Sequence, residues 1–328
     1  MQFRTLGKTG INLSTISIGT WQVGGKWGSD FDNTNADTIL NKAIDSGINF
    51  IDTADVYSDG ESEKAVGRIV KSRSEKIYVA TKCGRQIQPH VNEGYQPAVL
   101  RKYVEDSMKR LQLDTIDLIQ LHCPPTQVYY RPEIFELFGQ LKTEGKIQHL
   151  GVSVEKVEEA LKAIEYDNVS TVQIIFNMFR QRPAELFFSE AKKKNVGIIV
   201  RVPLASGLLT GTFSADTDFT SGDHRQFNRN GEAFDKGETF SGIDYATGLA
   251  AVEALKEIFP DQANLAPVAL KWILQFDAVS CIIPGASNTR QVDSNISALQ
   301  MPDFTPEQLT AVQAVYEKYI KKAVHQLW

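Results

Sequence analysis

Eight times over, this chain passes from a short apolar run rich in β-branched residues into a longer segment with helical spacing of its apolar residues. The runs are LSTISIGT (13–20), NFIDTA (49–54), KIYVATK (76–82), TIDLIQLH (115–122), IQHLGVS (147–153), TVQIIFN (171–177), GIIVRVPL (197–204) and VSCIIPGA (279–286). The helical segments that follow them fall at Asp37–Ser46, Ser62–Lys71, Val99–Leu111, Pro132–Glu144, Lys156–Tyr166, Pro183–Asn195, Ala266–Phe276 and Thr289–Ala298. Most of the runs are continuous instead of alternating, which suits strands buried on both faces of a parallel sheet. Eight strand-then-helix units in order predict a single (β/α)8 barrel domain over residues 1–328. Two additions stand out. QFRTLGKTGINLS (2–14) predicts a hairpin turning at Lys8-Thr9-Gly10, ahead of the first barrel strand. Residues 205–247, rich in Gly, Asp, Ser and Thr, form a long insertion after the seventh strand; a loop of that length in a compact domain is usually functional.

Composition narrows the function classes. Forty-two per cent of the 328 residues are hydrophobic, ample for a large core, and the 23% that are charged is ordinary for a globular protein. Lys and Arg are scattered and the net charge is −5, so no nucleic-acid partner is expected. No stretch approaches the ~20 apolar residues of a membrane helix, and the first residues, MQFRTLGKTG, carry no apolar signal core. The expectation is a cytoplasmic protein with no membrane partner. Cys83, Cys123 and Cys281 do not form a disulfide framework. The five histidines (His90, His122, His149, His224, His325) show no ligand spacing, so no metal is expected.

A barrel of this kind puts its chemistry at the C-terminal ends of its strands. Asp52, Lys82, His122 and Ser153 stand there on strands two to five, with Gln173 further inside strand six and Tyr57 five residues beyond Asp52. A tyrosine has an ordinary pKa of about 10 and gives up a proton near neutrality only with help. Lys82, one strand over, is placed to supply a positive charge that favours the phenolate. Asp52 is placed to keep that lysine charged and fixed, and His122 to orient a substrate oxygen.

D-T-A-x-x-Y (52–57), the T-K closing strand three, the L-H closing strand four and the G-V-S closing strand five resemble the aldo-keto reductase family. The likeness runs from LGKTG near the start to PGASNTRQVDSN near the end, and is nearest the bacterial and potassium-channel β-subunit branches. It implies an NADPH-dependent reductase of aldehydes and ketones, NADH being the lesser expectation. It also implies a tetrad of Asp52, Tyr57, Lys82 and His122, with Tyr57 protonating the carbonyl oxygen as hydride arrives. The alternative reading is a nicotinamide-binding regulatory subunit with incidental turnover. A Schiff-base aldolase built on Lys82 leaves Tyr57 and PGASN without roles.

No G-x-G-x-x-G follows any strand, so a Rossmann site is not expected. Barrels bind phosphates at the loops after strands seven and eight, where PLASGLLTG (203–211) and PGASNTRQVDSN (284–295) lie. The resemblance implies that Ser153 and Gln173 hold the nicotinamide carboxamide and that Gly285, Ser287, Gln291 and Asn295 hold the adenosine end. Arg290 or Ser287 would contact a 2′-phosphate. Gly19, Thr20, Trp21, Asp52, Arg201, Pro203, Leu204, Gly207 and Leu208 complete the expected cofactor contacts, and Trp21, Trp27, Tyr57 and His122 the substrate wall, with Phe234 added from the long loop. Three positions depart from the family's pattern. Val154 replaces the usual Asn after Ser153. Gly285 stands where a phosphate-gripping lysine is often found. Arg201 occupies the place of an aromatic ring stacked on the nicotinamide, and brings a positive charge expected to disfavour the oxidised cofactor.

Overall fold

The computed structural model describes residues 1–25 and 30–328. A hairpin comes first: β1 (Phe3–Thr5) pairs antiparallel with β2 (Asn12–Ser14) around a turn closed by Gly10 in the left-handed region. Eight parallel strands then follow in chain order: β3 (Ile18–Gly19), β4 (Phe50–Asp52), β5 (Tyr78–Cys83), β6 (Ile116–His122), β7 (Ile147–Ser153), β8 (Val169–Ile175), β9 (Gly197–Arg201) and β10 (Val279–Ile282). Parallel bridges Ile16–Ile282 and Gly19–Gly285 join the last strand to the first, and the predicted barrel closes.

The first predicted strand divides in two. Asn49 is the reason: its side chain accepts from Ser14 N at 2.8 Å and donates to Asn12 O at 2.9 Å, which ties residues 12–14 into the hairpin. The rest of the run joins the barrel, Ile18–Gly19 pairing with β4 and Ile16 bridging Ile282. The hairpin is useful to the barrel. Leu6 and Leu13 pack with Phe50, Ala80, Leu118, Ile199 and Cys281, an apolar plug inside the sheet, while a second, larger core lies between sheet and helices. The three cysteines are buried thiols.

The surrounding helices are α1 (Asn33–Asp45), α2 (Glu61–Ser72), α3 (Pro97–Leu111), α4 (Pro132–Thr143), α5 (Val157–Ala163), α6 (Phe187–Lys193), α7 (His224–Phe227), α8 (Tyr245–Ile258), α9 (Ala266–Leu274), α10 (Thr289–Ser297) and α11 (Pro306–Val315). α7 and α11 match no predicted segment, and three further helices depart from expectation. α1 starts four residues early because Asp32 caps it, accepting from Asn35 N. The predicted helix Pro183–Asn195 is broken: residues 182–184 form a 3₁₀ turn after the Asn177–Arg180 bridge, and α6 begins only at Phe187. α8 was not expected, since Gly248 interrupts its pattern; Asp244 caps it, and a Cβ at Gly248 would come within 2.8 Å of Leu208. Among the described residues no helix is long and apolar enough to cross a membrane.

The long loop is stapled down. Trp328 donates its indole N–H to Asp235 at 2.7 Å, and the Arg180 guanidinium lies 4.2 Å from the indole centroid. Arg180 in turn donates to Gly237 O at 3.1 Å. The VHQLW segment therefore packs back on the barrel, against the stretch that carries Glu238.

Candidate active site

Strand register brings the polar residues together. Gly19 pairs with Asp52, Lys82 with Gln120, His122 with Ser153, and Ser153 with Gln173. Side chains two apart on a strand share a face, so Gln120 and His122 face the same way. Tyr57 arrives by a different route. After β4 the chain turns through Ser58, Asp59 and Gly60, three consecutive residues in the left-handed region, and enters α2. Left-handed backbone is strained for Ser and Asp, and here it turns the phenol back over the barrel mouth.

All three N–H groups of the Lys82 ammonium are used. They go to Asp52 Oδ1, to Thr53 O at 2.9 Å and to Tyr57 Oη at 3.2 Å. Lys82 and Asp52 are each 1% exposed. Burial alone would lower the lysine pKa, but Asp52 and Tyr57 outweigh it and the net shift is upward, so Lys82 stays charged. Tyr57 departs from expectation. Burial pushes its pKa up, Lys82 pulls it down, Asp52 pushes it up again, and the net direction is upward instead of toward phenolate. At neutral pH Tyr57 is a phenol whose oxygen accepts from Lys82, which leaves its own O–H free to donate. Its ring lies edge-on to His122 at 5.9 Å. Burial, then Arg85, Lys82 and Arg201, hold His122 far below the ordinary histidine value, so its imidazole is neutral.

Asp52, Tyr57 and His122 line a cavity of about 470 Å³ that runs from Tyr57 and His122 to the start of α10; Lys82, hydrogen-bonded to the first two, is not part of the lining. Of the predicted residues, Gly19, Thr20, Trp21, Asp52, Gln173, Arg201, Pro203, Leu204, Gly207, Gly285, Ser287, Gln291 and Asn295 line it too. Trp21 stacks 6.2 Å from Tyr57 and meets Phe234 edge-on at 6.1 Å. Trp27 lies outside the described residues. Four predicted contacts are not part of the lining, the first being Phe234, which meets Trp21 but does not reach the cavity. Leu208 is buried in the core, packed at Gly248. Ser153 is fully buried with its hydroxyl 3.5 Å from Cys123 Sγ. Arg290 is exposed on the outer face of α10.

Arg201 also differs from expectation, because it is not a lone charge. It pairs with Glu155 at 2.8 Å and Glu238 at 3.4 Å, and donates to Val154 O at 3.0 Å. Cys123, Glu155 and Glu238 hold potential ligand atoms within 4.8 Å of one another. The cation among them is the Arg201 guanidinium, 3.5 Å from the Cys123 sulfur. Glu238 is held down by Arg85 and Arg201 against its burial, whereas burial and Glu238 push Glu155 up. Sequence reading missed Glu238, Arg85 and Gln120. For Gln120 a signal was present: it stands two residues before His122 on the same strand face.

Asp55, two residues before Tyr57, is fully buried, and neither carboxylate oxygen has a hydrogen-bond partner. Burial, then Glu63, push it up to about 8 from an ordinary value of 3.8. Between those values the folded chain keeps a proton that the unfolded chain has released, so folding loses stability as pH rises toward 8. Asp55→Asn is therefore expected to change Tm little near pH 4 and to raise it by several degrees at pH 8 and above. Melting curves over that range check it; a difference independent of pH would count against it.

The sequence model described as the Aldo/keto reductase family matches residues 15–317. An NADH-specific methylglyoxal reductase of Escherichia coli is 30% identical over 317 residues, covering 90% of this chain and 93% of that protein. A probable voltage-gated potassium channel subunit beta of Oryza sativa is 27% identical, covering 98% of each. The holo form of aldo-keto reductase AKR11C1 from Bacillus halodurans superposes with a TM-score of 0.78 at 27% identity, over 100% of this chain and 99% of that one. With barrel, strand-end side chains and whole-chain likeness in agreement, the chain belongs to the aldo/keto reductase family of carbonyl-acting oxidoreductases.

Proposed function

We propose that the protein reduces an aldehyde or ketone to the alcohol, with Tyr57 as proton donor and NADPH as the favoured reductant. The observation that carries this reading is the Lys82 ammonium: its three donors end on Asp52, Thr53 O and the Tyr57 oxygen, and Asp52 and Tyr57 line one cavity with His122. The residues present fit a dinucleotide. The cavity continues from this cluster past Gly207 and Gly285 to the amides that open α10, where Asn288 caps the helix and Ser287 N is held by Gln291 Oε1 at 2.8 Å.

When bound, the nicotinamide supplies the hydride. The chain's own residues do the rest. Neutral His122 donates to the carbonyl oxygen and orients it. As negative charge develops there, the raised pKa of Tyr57 ceases to be a handicap, because the acceptor becomes more basic than a phenolate. The proton passes from Tyr57 Oη to the alkoxide, and Lys82, held charged by Asp52, stabilises the phenolate left behind. Trp21, backed by Phe234, and Tyr57 form an aromatic wall suited to a small carbonyl compound.

The case for NADPH rests on Ser287, beside the start of α10, and on Arg225, both of which line the cavity. The Escherichia coli relative's NADH specificity is the counterweight. Loss of reduced-nicotinamide absorbance with a panel of aldehydes, ketones and quinones, run with each cofactor, tests the reading. Turnover is expected with a higher kcat/KM for NADPH, and Arg225→Ala is expected to narrow the gap. Tight cofactor binding with no turnover on any carbonyl would instead favour a nicotinamide-binding regulatory subunit.

A further inference from the structure

The second oxygen of Asp52 is occupied in a way the family likeness does not imply. Oδ2 accepts from Gln120 Nε2 at 3.0 Å and from Gln173 Nε2 at 2.8 Å, and Gln173 Nε2 also reaches Gln120 Oε1 at 3.2 Å. None of the three residues is more than 1% exposed. An ionised carboxylate can only accept, so the amide nitrogen of each glutamine must face Asp52. That leaves the Gln120 carbonyl as the acceptor for the second N–H of Gln173. Both donors of Gln173 are then used within the protein, although its side chain lines the cavity. What remains to it there is the carbonyl oxygen, an acceptor.

The space for this arrangement is built in. Gly151 pairs with Gln120 across the β6–β7 ladder. A Cβ there would lie 3.2 Å from Gln120 Cγ and would collide with Thr171 Oγ1. Other donors for a carboxamide oxygen are scarce: Val154 has no side-chain N–H, and Ser153 is not part of the cavity wall.

We propose that Gln120 is a positioning residue that fixes this hydrogen-bond polarity, so that Gln173 reads the cofactor's carboxamide through its NH2 group alone. The inference rests on the nicotinamide reading above. It means that one carboxylate, Asp52, orients both Lys82 behind Tyr57 and the glutamine that faces the nicotinamide.

The test is a binding measurement. Titration calorimetry compares the reduced natural cofactor with its 3-acetylpyridine analogue, in which a methyl group replaces the NH2. Against the methyl group the Gln173 carbonyl loses its hydrogen-bond donor, so the native protein is expected to bind the analogue on the order of tenfold more weakly. In Gln120→Met the second N–H of Gln173 is released to meet a carbonyl oxygen, and the discrimination is expected to fall below about threefold. Gln173→Met should abolish it. Native protein that binds both compounds equally overturns the proposal, as does a folded Gln120→Met variant that keeps the full discrimination; the first of these needs no variant. Native protein that binds neither compound overturns the nicotinamide reading itself, which is a different result.

Discussion

Replacing Tyr57 with Phe is expected to reduce carbonyl turnover by about 10²–10⁴-fold, the range lost with a positioned general acid, while reduced cofactor still binds. The substitution removes one hydroxyl from a ring that also stacks with Trp21 and meets His122 edge-on. The aromatic wall therefore remains, and substrate KM should change far less than kcat. Lys82 loses only its longest hydrogen bond, at 3.2 Å, and keeps Asp52 and Thr53 O. Steady-state kinetics with a cofactor titration separates the two effects. If the variant kept more than about a tenth of native kcat, another group would have to be the acid, and the neutral imidazole of His122 would be the first candidate.

Lys82→Met should be the most damaging single change to stability in the site. It leaves the Asp52 carboxylate in the barrel interior with two amides and no cation. Removing one partner of a buried ion pair costs about 3–5 kcal/mol, which in a chain of this length is a fall in Tm on the order of 5–10 °C. The double variant Lys82→Met/Asp52→Leu, with no charge left to bury, is expected to recover part of the loss. A double variant as unstable as the sum of its two single changes would show that the pair is not coupled. Lys82 has a folded-state pKa above its ordinary value, so its contribution is complete below about pH 10 and is lost as pH rises through the folded value.

Much of this site was legible before the chain was folded. A strand has a fixed direction and a period of two, so continuous apolar runs followed by helical spacing specify a parallel barrel, and a polar residue closing each run is delivered to one rim. That is why Asp52, Lys82 and His122 could be placed from strand position alone, whereas Tyr57, ahead of a turn with three left-handed residues that no periodicity specifies, was placed by its spacing from Asp52 and by likeness to the family. Glu238 was out of reach for a related reason. It stands on an irregular loop whose path is set by contacts with Arg180 and Trp328 far away in sequence.

What the amino-acid order determined by itself was the barrel, its hairpin and the rim on which the polar side chains stand, because these follow from local periodicity and chirality. The tertiary structure alone decided the state of those side chains. Burial raised Tyr57 when a neighbouring lysine suggested the reverse, and two carboxylates neutralised Arg201. Asp52, by accepting from both Gln120 and Gln173, tied an expected cofactor contact into the hydrogen-bond network of Lys82 and Tyr57. Desolvation and hydrogen-bond polarity depend on every group within a few ångströms, most of them from distant strands, and no local pattern in the chain encodes that sum.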